Sequence, residues 1–434
     1  MRFSTEEINK RIKYVVSLSK EIPWYAKKYK ELKINPDEIK NPDDLLKAYE
    51  KGMYTSKVDL PNLATNYKIF RQLFITSGTT GKPAIIEFTP DDIKRDQRQC
   101  FMGYSVFLSE NDRILNCFPS PPVISGEASV LGLTSLPVRV FHVPAQTLRD
   151  ADTFLEYRNI LDFNVVFGLT TSIYRLPIKL AEKGVTSHSL GIEKILTSGE
   201  PSSVERRKKI SEEFGSAEVF DWYASTENLV IGFEERSFSN EYKVTIPETL
   251  LFIVKDCAGV EEGEKGDVLI TNLYNIGEKP GVILLNYRIG DSAKLVKKEE
   301  GIVTYISEIT RESAYLAGAK LNPVEVEKVI ENLNTKEECL TGEYLLVNYH
   351  DPKTRKAVLE IRIEVLPKIS NEKRENIAQK LLEEIYSANI EVSTAVKDMA
   401  DAEISVKTVE SGELYQGFEH LLKPGKPKRL ITIS

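Results

Sequence analysis

Between residues 165 and 223 short apolar runs alternate with helical patterns, and the runs end in polar or glycine-bearing turns. Val165–Gly168 reads as a buried strand and leads into a helical stretch, Ile173–Lys183, closed by Gly184. Ile192–Leu196 is a second strand, ending at Ser198-Gly199-Glu200-Pro201. Val204–Phe214 is a charged helix ending at Gly215, and Ala217–Tyr223 is strand-like again. Strand–loop–helix alternation of this kind implies an α/β fold, with a parallel sheet flanked by helices. Such sheets bind ligands beyond the carboxyl ends of their strands, so these turns can share one crevice.

Ile75–Pro83 is the most chemically loaded turn. It reads Ile-Thr-Ser-Gly-Thr-Thr-Gly-Lys-Pro after the apolar run Phe70–Ile75. Glycines let the backbone approach a ligand closely, and successive N–H groups in such a turn form an anion-binding concavity. Ser77, Thr79 and Thr80 add hydroxyl donors, and Lys82 adds a cation. The loop is suited to phosphate; the alternative is a polar surface turn. It is not the common P-loop, which needs four residues between its glycines and a Ser or Thr after the Lys. Here only Thr79 and Thr80 separate Gly78 from Gly81, and Pro83 follows Lys82. Thr89-Pro90-Asp91-Asp92 then starts a helix, with a capping Thr, a first-turn Pro and acids at the positive end of the dipole. That helix is expected to reach about Leu108.

At 434 residues the chain exceeds what one core supports. The expected division is 1–308 for a large mixed or parallel α/β unit and 309–434 for a small mobile α+β lid. A net charge of −7 argues against non-specific binding to nucleic acid or to an anionic membrane. No apolar run approaches a membrane span, and the first residues lack the apolar core of a signal peptide. A cytoplasmic protein is expected. Cys100, Cys117, Cys257 and Cys339 have no Cys-x-x-Cys spacing and are expected to be buried free thiols. His142, His188, His350 and His420 are scattered, so no His- or Cys-based metal site is expected.

Past residue 240, Leu250–Val254, Val268–Asn272 and Val282–Arg288 read as strands of a more antiparallel region. From about Thr310 a compact α+β unit follows. Asn322-Pro323-Val324-Glu325 starts a helix to about Leu333. Tyr344–Val347 and Ala357–Val365 pair as strands, Asn371–Ala388 is an amphipathic helix, and Glu403–Val409 is a last strand. The segment Lys423–Arg429 is a basic, turn-rich tail.

Four further sites carry chemistry. Gly199-Glu200-Pro201 lets a flat ring lie against the backbone. In Asp221-Trp222-Tyr223-Ala224-Ser225-Thr226-Glu227, Tyr223 is placed to stack a purine, Thr226 to donate to a phosphate and Glu227 to hold Mg²⁺, a cation that prefers oxygen ligands. Asp291 follows Tyr287-Arg288-Ile289-Gly290 and is suited to accept from both hydroxyls of a ribose. Lys426, in a basic loop next to Gly425, can reach a carboxylate or phosphate. Singly, each has an ordinary structural explanation; together they are harder to dismiss.

This set, in this order, resembles the acyl-adenylate-forming superfamily of acyl-CoA synthetases, peptide-synthetase adenylation domains and luciferases, and within it phenylacetate–CoA ligases. Thr76–Pro83 matches the family's phosphate loop and is its most specific mark. Phe167–Tyr174 is similar to the turn lining the acyl pocket, and Ser198–Pro201 to the adenine-side turn. Tyr223–Glu227 resembles Tyr-Gly-x-Thr/Ser-Glu, with Ala224 where Gly is usual. Tyr287–Asp291 matches Tyr-Arg-x-Gly-Asp, Ala317–Pro323 resembles the segment opening the small domain, and Gly425-Lys426 the C-terminal Gly-Lys pair.

The resemblance implies a magnesium-dependent ligase using ATP, a carboxylic acid and coenzyme A. The acid's carboxylate attacks the α-phosphorus and releases pyrophosphate; positioning and charge neutralisation do the work. It implies that Lys426 and Thr226 stabilise the transferring phosphate, that Glu227 holds Mg²⁺, and that Ser77 to Lys82, Gly199, Glu200, Pro201, Asp221, Trp222, Tyr223, Asp291 and Arg311 bind the nucleotide. The small domain then rotates so that a thiol attacks the acyl-adenylate. A wall carrying Phe118, Tyr174 and Trp222 fits an aromatic or modest apolar acid. Small-molecule acid and CoA are the partners, without nucleic acid or membrane, and a homodimer stays open. The hinge departs from the usual Gly-Arg-x-Asp-Asp: Ile309–Ser313 offers only Arg311, and Ala317 replaces an Arg. Asn228–Val244 holds no Cys, so the zinc-binding cysteines of some relatives are missing. Two alternatives stay open: transfer to a carrier protein or an amine, and a non-catalytic nucleotide binder.

Overall fold

The structure is a computed structural model that describes residues 4–75, 85–120, 124–199, 202–310, 314–316, 319–337, 339–351, 356–389, 392–393, 396, 402–418 and 429–433. Its centre is a twelve-stranded mixed sheet. One half holds β3 (Arg113–Asn116), β4 (Arg139–His142), β5 (Val165–Leu169), β6 (Lys194–Ser198) and β7 (Glu218–Ser225), all mutually parallel in the order β4-β3-β5-β6-β7. The expected parallel strands are therefore real. β5 is buried along its whole length, as a strand covered on both faces must be.

The other half is antiparallel. From β7 the order continues β8 (Leu229–Glu234), β9 (Glu241–Val244), β14 (Ile302–Thr310), β13 (Tyr287–Glu299), β12 (Lys265–Asn272), β10 (Thr249–Lys255) and β11 (Ala258–Gly259). A separate hairpin, β1 (Gln72–Ile75) with β2 (Ile85–Phe88), pairs at Ile75 and Ile85. The phosphate-loop candidate Ser77–Lys82 falls between these strands and lies outside the described residues.

Helices α4 (Pro90–Phe107), α5 (Ser125–Leu133), α6 (Ala151–Ile160), α7 (Thr170–Glu182) and α8 (Val204–Glu213) accompany the sheet. The capping reading at Thr89 holds: Asp92 N–H donates to the Thr89 hydroxyl at 3.3 Å, and Thr89 N–H donates back to the Asp92 carboxylate at 2.7 Å. N-terminal helices α1 (Thr5–Ser19), α2 (Pro23–Glu31) and α3 (Pro42–Glu50) pack Ile8, Ile12, Tyr25 and Leu45 into the core under the antiparallel half.

A smaller sheet has the order β19 (Ala402–Val409), β18 (Ala357–Val365), β17 (Leu340–His350), β20 (Leu430–Ile433). The expected pair is present, with Tyr344 opposite Ile363 and Val347 opposite Glu360. Its helices are α9 (Pro323–Glu337), whose Glu325 N–H is capped by Asn322 at 3.0 Å, and α10 (Asn371–Ala388), which buries Ile377, Leu381 and Ile385. A short hairpin, β15 (Ala314–Leu316) with β16 (Ala319–Leu321), precedes α9. The fold is thus a large α/β sheet domain plus a smaller C-terminal sheet domain.

Two expectations are corrected. Val282–Arg288 is not a strand: β13 begins only at Tyr287 and runs thirteen residues. Asn286 sits in the left-handed region at φ 47°, held there by its amide bonds to the Leu45 and Met53 carbonyls, and this breaks the extended run. Cys257 is exposed, in a turn where Asp256 and Cys257 both have positive φ, while the other three cysteines are buried free thiols.

Asp96 of α4 is wholly buried with Cys100 Sγ 3.5 Å from Oδ1, and burial pushes its carboxyl up to about 7. Folding therefore favours its neutral form. The stability this contributes is fully present below the unfolded value of ~3.9 and is lost as pH rises towards the folded value. Melting temperature should fall between pH 5 and pH 7.5, and Asp96→Asn should flatten that slope. An Asp96→Asn protein with the wild-type slope would show that another group carries it.

Candidate active site

Tyr223 and Asp291 meet across the sheet. The Tyr223 hydroxyl donates to Asp291 Oδ2 at 2.6 Å, although three strands separate β7 from β13. A second link runs between the same two motifs: the Tyr287 hydroxyl donates to Glu227 Oε1 at 3.3 Å. Two turn motifs far apart in the chain are thus tied into one cleft. Gly199, Asp221, Trp222, Tyr223, Ala224 and Asp291 all line it. Gly199 ends β6 with φ 85°, a conformation that favours glycine and leaves the backbone bare towards the cleft. A register shift falls between Tyr223 and Ala224, a bulge that re-aims the end of β7.

Thr226, Glu227 and Asn228 form the turn between β7 and β8. Leu229 leaves it at φ 64°, a strained position for a non-glycine residue. Buried polar groups of α4 hold the turn in place. Arg95 donates to the Asn228 carbonyl at 3.3 Å and to its amide oxygen at 2.5 Å, and Gln99 reaches the same carbonyl at 3.2 Å. The Asn228 amide donates in turn to Thr249 at 2.9 Å, and Asn272 donates to the Glu227 carbonyl at 3.2 Å. Glu227 itself is buried.

The floor is charged. Asp221 accepts from the Thr197 hydroxyl and the Tyr242 hydroxyl, both at 2.7 Å, and lies 3.5 Å from Arg207. Arg207 also pairs with Glu234 at 3.1 Å, both fully buried. Burial raises the Asp221 carboxyl, and pushes Glu234 up to about 7. Asp221 is therefore at the cleft as expected, but its carboxylate is engaged with the protein's own donors.

Trp222 points away from Tyr223, as successive residues of a strand must. Its ring lies 4.4 Å from that of Tyr104, in an aromatic cluster with Phe118, Phe167 and Phe220. Tyr174 does not join that wall. Its hydroxyl donates to Glu331 of α9 at 2.9 Å, and Arg206 stacks on its ring at 4.8 Å. Of the remaining expected site residues, Ser77, Gly78, Thr79, Thr80, Gly81, Lys82, Glu200, Pro201, Arg311 and Lys426 lie outside the described residues. No cluster of three His, Cys, Asp or Glu able to hold a metal occurs among the described residues. Sequence reading missed the Arg95–Gln99–Asn228 clamp. Its trace in the sequence is an i, i+4 polar pair, Arg95 and Gln99, on one face of the helix.

Residues 66–275 match the AMP-binding enzyme family. The chain is 22% identical to a phenylacetate-coenzyme A ligase of Pseudomonas putida over 345 residues, 73% of each chain. It is 23% identical to a phenylacetate-coenzyme A ligase of Aromatoleum evansii over 398 residues, 86% of each. The chain is thus similar to AMP-binding enzymes and to phenylacetate-coenzyme A ligases. The fold agrees: the crystal structure of 2-hydroxyisobutyryl-CoA ligase in the postadenylation state superposes with TM-score 0.78 at 14% identity, covering 98% of this chain and 89% of that one. The same ligase in its thioesterification state gives 0.61 at 17% identity, covering 98% and 88%. In this chain the Tyr223–Glu227 and Tyr287–Asp291 motifs converge.

Asn228→Ala should remove the side-chain partner of both Arg95 and Thr249, while the backbone carbonyl that Gln99 reaches stays. Leaving buried donors unpaired costs about 1–3 kcal/mol. A urea titration should show a lowered midpoint of that size with an unchanged slope; an unchanged midpoint would mean the clamp does not hold the turn.

Proposed function

We propose that this AMP-forming enzyme of the acyl-CoA ligase type joins a carboxylic acid, activated with ATP, to coenzyme A. The observation that carries this reading is the Tyr223–Asp291 bond beside the Glu227–Tyr287 bond. Asp291 already accepts a hydroxyl in the cleft, which is the bond a ribose hydroxyl offers. Tyr223 presents a ring on the same wall, next to the bare Gly199 backbone, where a purine can lie.

Glu227 fits a magnesium role by chemistry: it is a buried oxygen donor held by one tyrosine hydroxyl. Magnesium sites commonly use one or two carboxylates and complete their shell with waters and substrate phosphates, so the lack of a larger carboxylate cluster is no obstacle. When bound there, the ion would screen charge on the leaving pyrophosphate. Thr226, in the adjacent turn, would donate to the α-phosphate, and Lys426 would neutralise charge between the phosphate and the attacking carboxylate. The buried clamp from α4 keeps Thr226 and Glu227 in register while charge moves. The acid would lie against Phe118 and Trp222, which favours an aromatic or modest apolar acid. ATP and coenzyme A are cytoplasmic substrates, in line with the expected location.

Acid-dependent exchange of pyrophosphate into ATP, run across a panel of aryl and short apolar acids, tests the activity and the acid class together. Exchange with a subset of acids, abolished by chelating the magnesium, is expected. Lys426→Ala should lower it about 10²–10³-fold, the usual cost of one charge-stabilising group, with ATP affinity near normal. Exchange unaltered in that variant removes the role assigned to Lys426. Silence across the panel with measurable ATP binding overturns the enzyme reading. Thioester formation with free coenzyme A then separates transfer to CoA from transfer to another acceptor.

A further inference from the structure

A buried ion-pair dock joins the two domains. Arg206, on α8 beside the cleft, is 1% exposed, and among the described residues its guanidinium donates to the small domain's acids and backbone. Its guanidinium reaches Glu327 Oε2 at 2.9 Å, Glu331 Oε1 at 3.0 Å and the Gly342 carbonyl at 2.5 Å. The remaining oxygens of both glutamates are also taken by the large domain. Ser203 N–H donates to Glu327 Oε1 at 2.6 Å, and the Tyr174 hydroxyl donates to Glu331 Oε2 at 2.9 Å. Every donor in this set comes from α7, α8 or the loop before α8; every acceptor comes from α9 or β17.

A second contact lies where β20 begins. Arg429, three residues past Lys426, donates to the Thr171 hydroxyl of α7 at 2.8 Å and to Glu343 Oε2 of β17 at 3.1 Å. Arg175 of α7 pairs with Glu364 of β18 at 3.2 Å. Gly342 leaves no slack: a Cβ there would come within 2.4 Å of the Tyr174 ring.

We propose that Arg206 is a positioning residue for the first half-reaction. Clamped to Glu327 and Glu331 and backed by Tyr174, it seats the small domain against the wall of the nucleotide cleft in the orientation that adenylation uses. The proposal rests on the ligase reading above. The closer match to a postadenylation state than to a thioesterification state, 0.78 against 0.61, accords with it. A charged dock suits a domain that must leave again. Arg206, Glu327 and Glu331 recover full hydration on separation, so the dock fixes orientation without holding the domains shut. An apolar interface of the same area would resist opening.

The test uses Arg206→Met, Tyr174→Phe and Gly342→Ala in the full chain, each checked by circular dichroism and melting. Exposed Cys257 and a second thiol placed at exposed Glu372→Cys carry a fluorescence donor and acceptor that report domain separation. Arg206→Met and Gly342→Ala should change transfer efficiency in the resting protein, and Tyr174→Phe should do so less. Acid-dependent pyrophosphate exchange should fall at least tenfold in Arg206→Met. Thioester formation from supplied acyl-adenylate and coenzyme A should stay within about twofold of wild type. Wild-type transfer efficiency in folded Arg206→Met and Gly342→Ala overturns the proposal. So does an equal loss of both half-reactions, which marks Arg206 as merely structural. If Arg206→Met fails to fold, Tyr174→Phe and Gly342→Ala decide by the same readouts. Failure of the ligase reading looks different: wild type itself shows no exchange, while the fluorescence still reports whether the dock exists.

Discussion

The bond from Tyr223 to Asp291 depends on curvature. Their strands are separated by β8, β9 and β14, which at about 4.8 Å per strand would set them far apart in a flat sheet. Twist and bulges fold the antiparallel half back over the end of β7. β13 and β14 carry register shifts near Ser292, Leu295 and Lys297, and β12 shifts beside β13 at Asp267. The cleft is therefore a product of sheet geometry before it is a product of any side chain.

Such curvature does not by itself fix a turn to the accuracy chemistry needs. The turn Thr226–Asn228 leads into a strained Leu229, and strain persists only where the surroundings over-determine it. Arg95, Gln99, Asn228, Thr245 and Thr249 supply that over-determination as a continuous buried network between α4, β8 and β10. A buried network of this kind is costly unless it is satisfied, and satisfied networks specify one arrangement. The same helix presents Cys100 and Tyr104 to α5, so α4 braces the Thr226–Asn228 turn on one side and the aromatic wall on another.

The parallel half and the convergent Tyr223–Glu227 and Tyr287–Asp291 motifs were readable because their signals are local: apolar runs, capping residues and spaced motifs. Thr89 with Asp92, and Asn322 with Glu325, form the caps their order announces. The hairpin of β13 and β14 was not readable, because its alternation ends in the charged run Lys297-Lys298-Glu299 and bulges shift its period. Nor was the partner choice of Arg206 and Tyr174. Tyr174 sits in a motif resembling an acyl-pocket turn, and nothing within ten residues of it announces Glu331. Long-range pairing of polar side chains has no periodic trace, so an aromatic at such a turn reads as substrate wall until the second domain is in place.

The two polar assemblies differ in what they must permit. The clamp on Asn228 lies within one domain and is mostly neutral amide and hydroxyl, with Arg95 as its charge; its groups are buried, where water cannot replace a lost partner. The dock at Arg206 lies between domains and is built from full charges that water can serve as well. Desolvation offsets much of the Coulomb gain of such a pair, so its net strength is small while its geometric demand is high. That combination is what a joint needs if one small domain is to take two orientations over one nucleotide. Buried hydrogen bonds fix the turn within one domain, and ion pairs make the contact between the two.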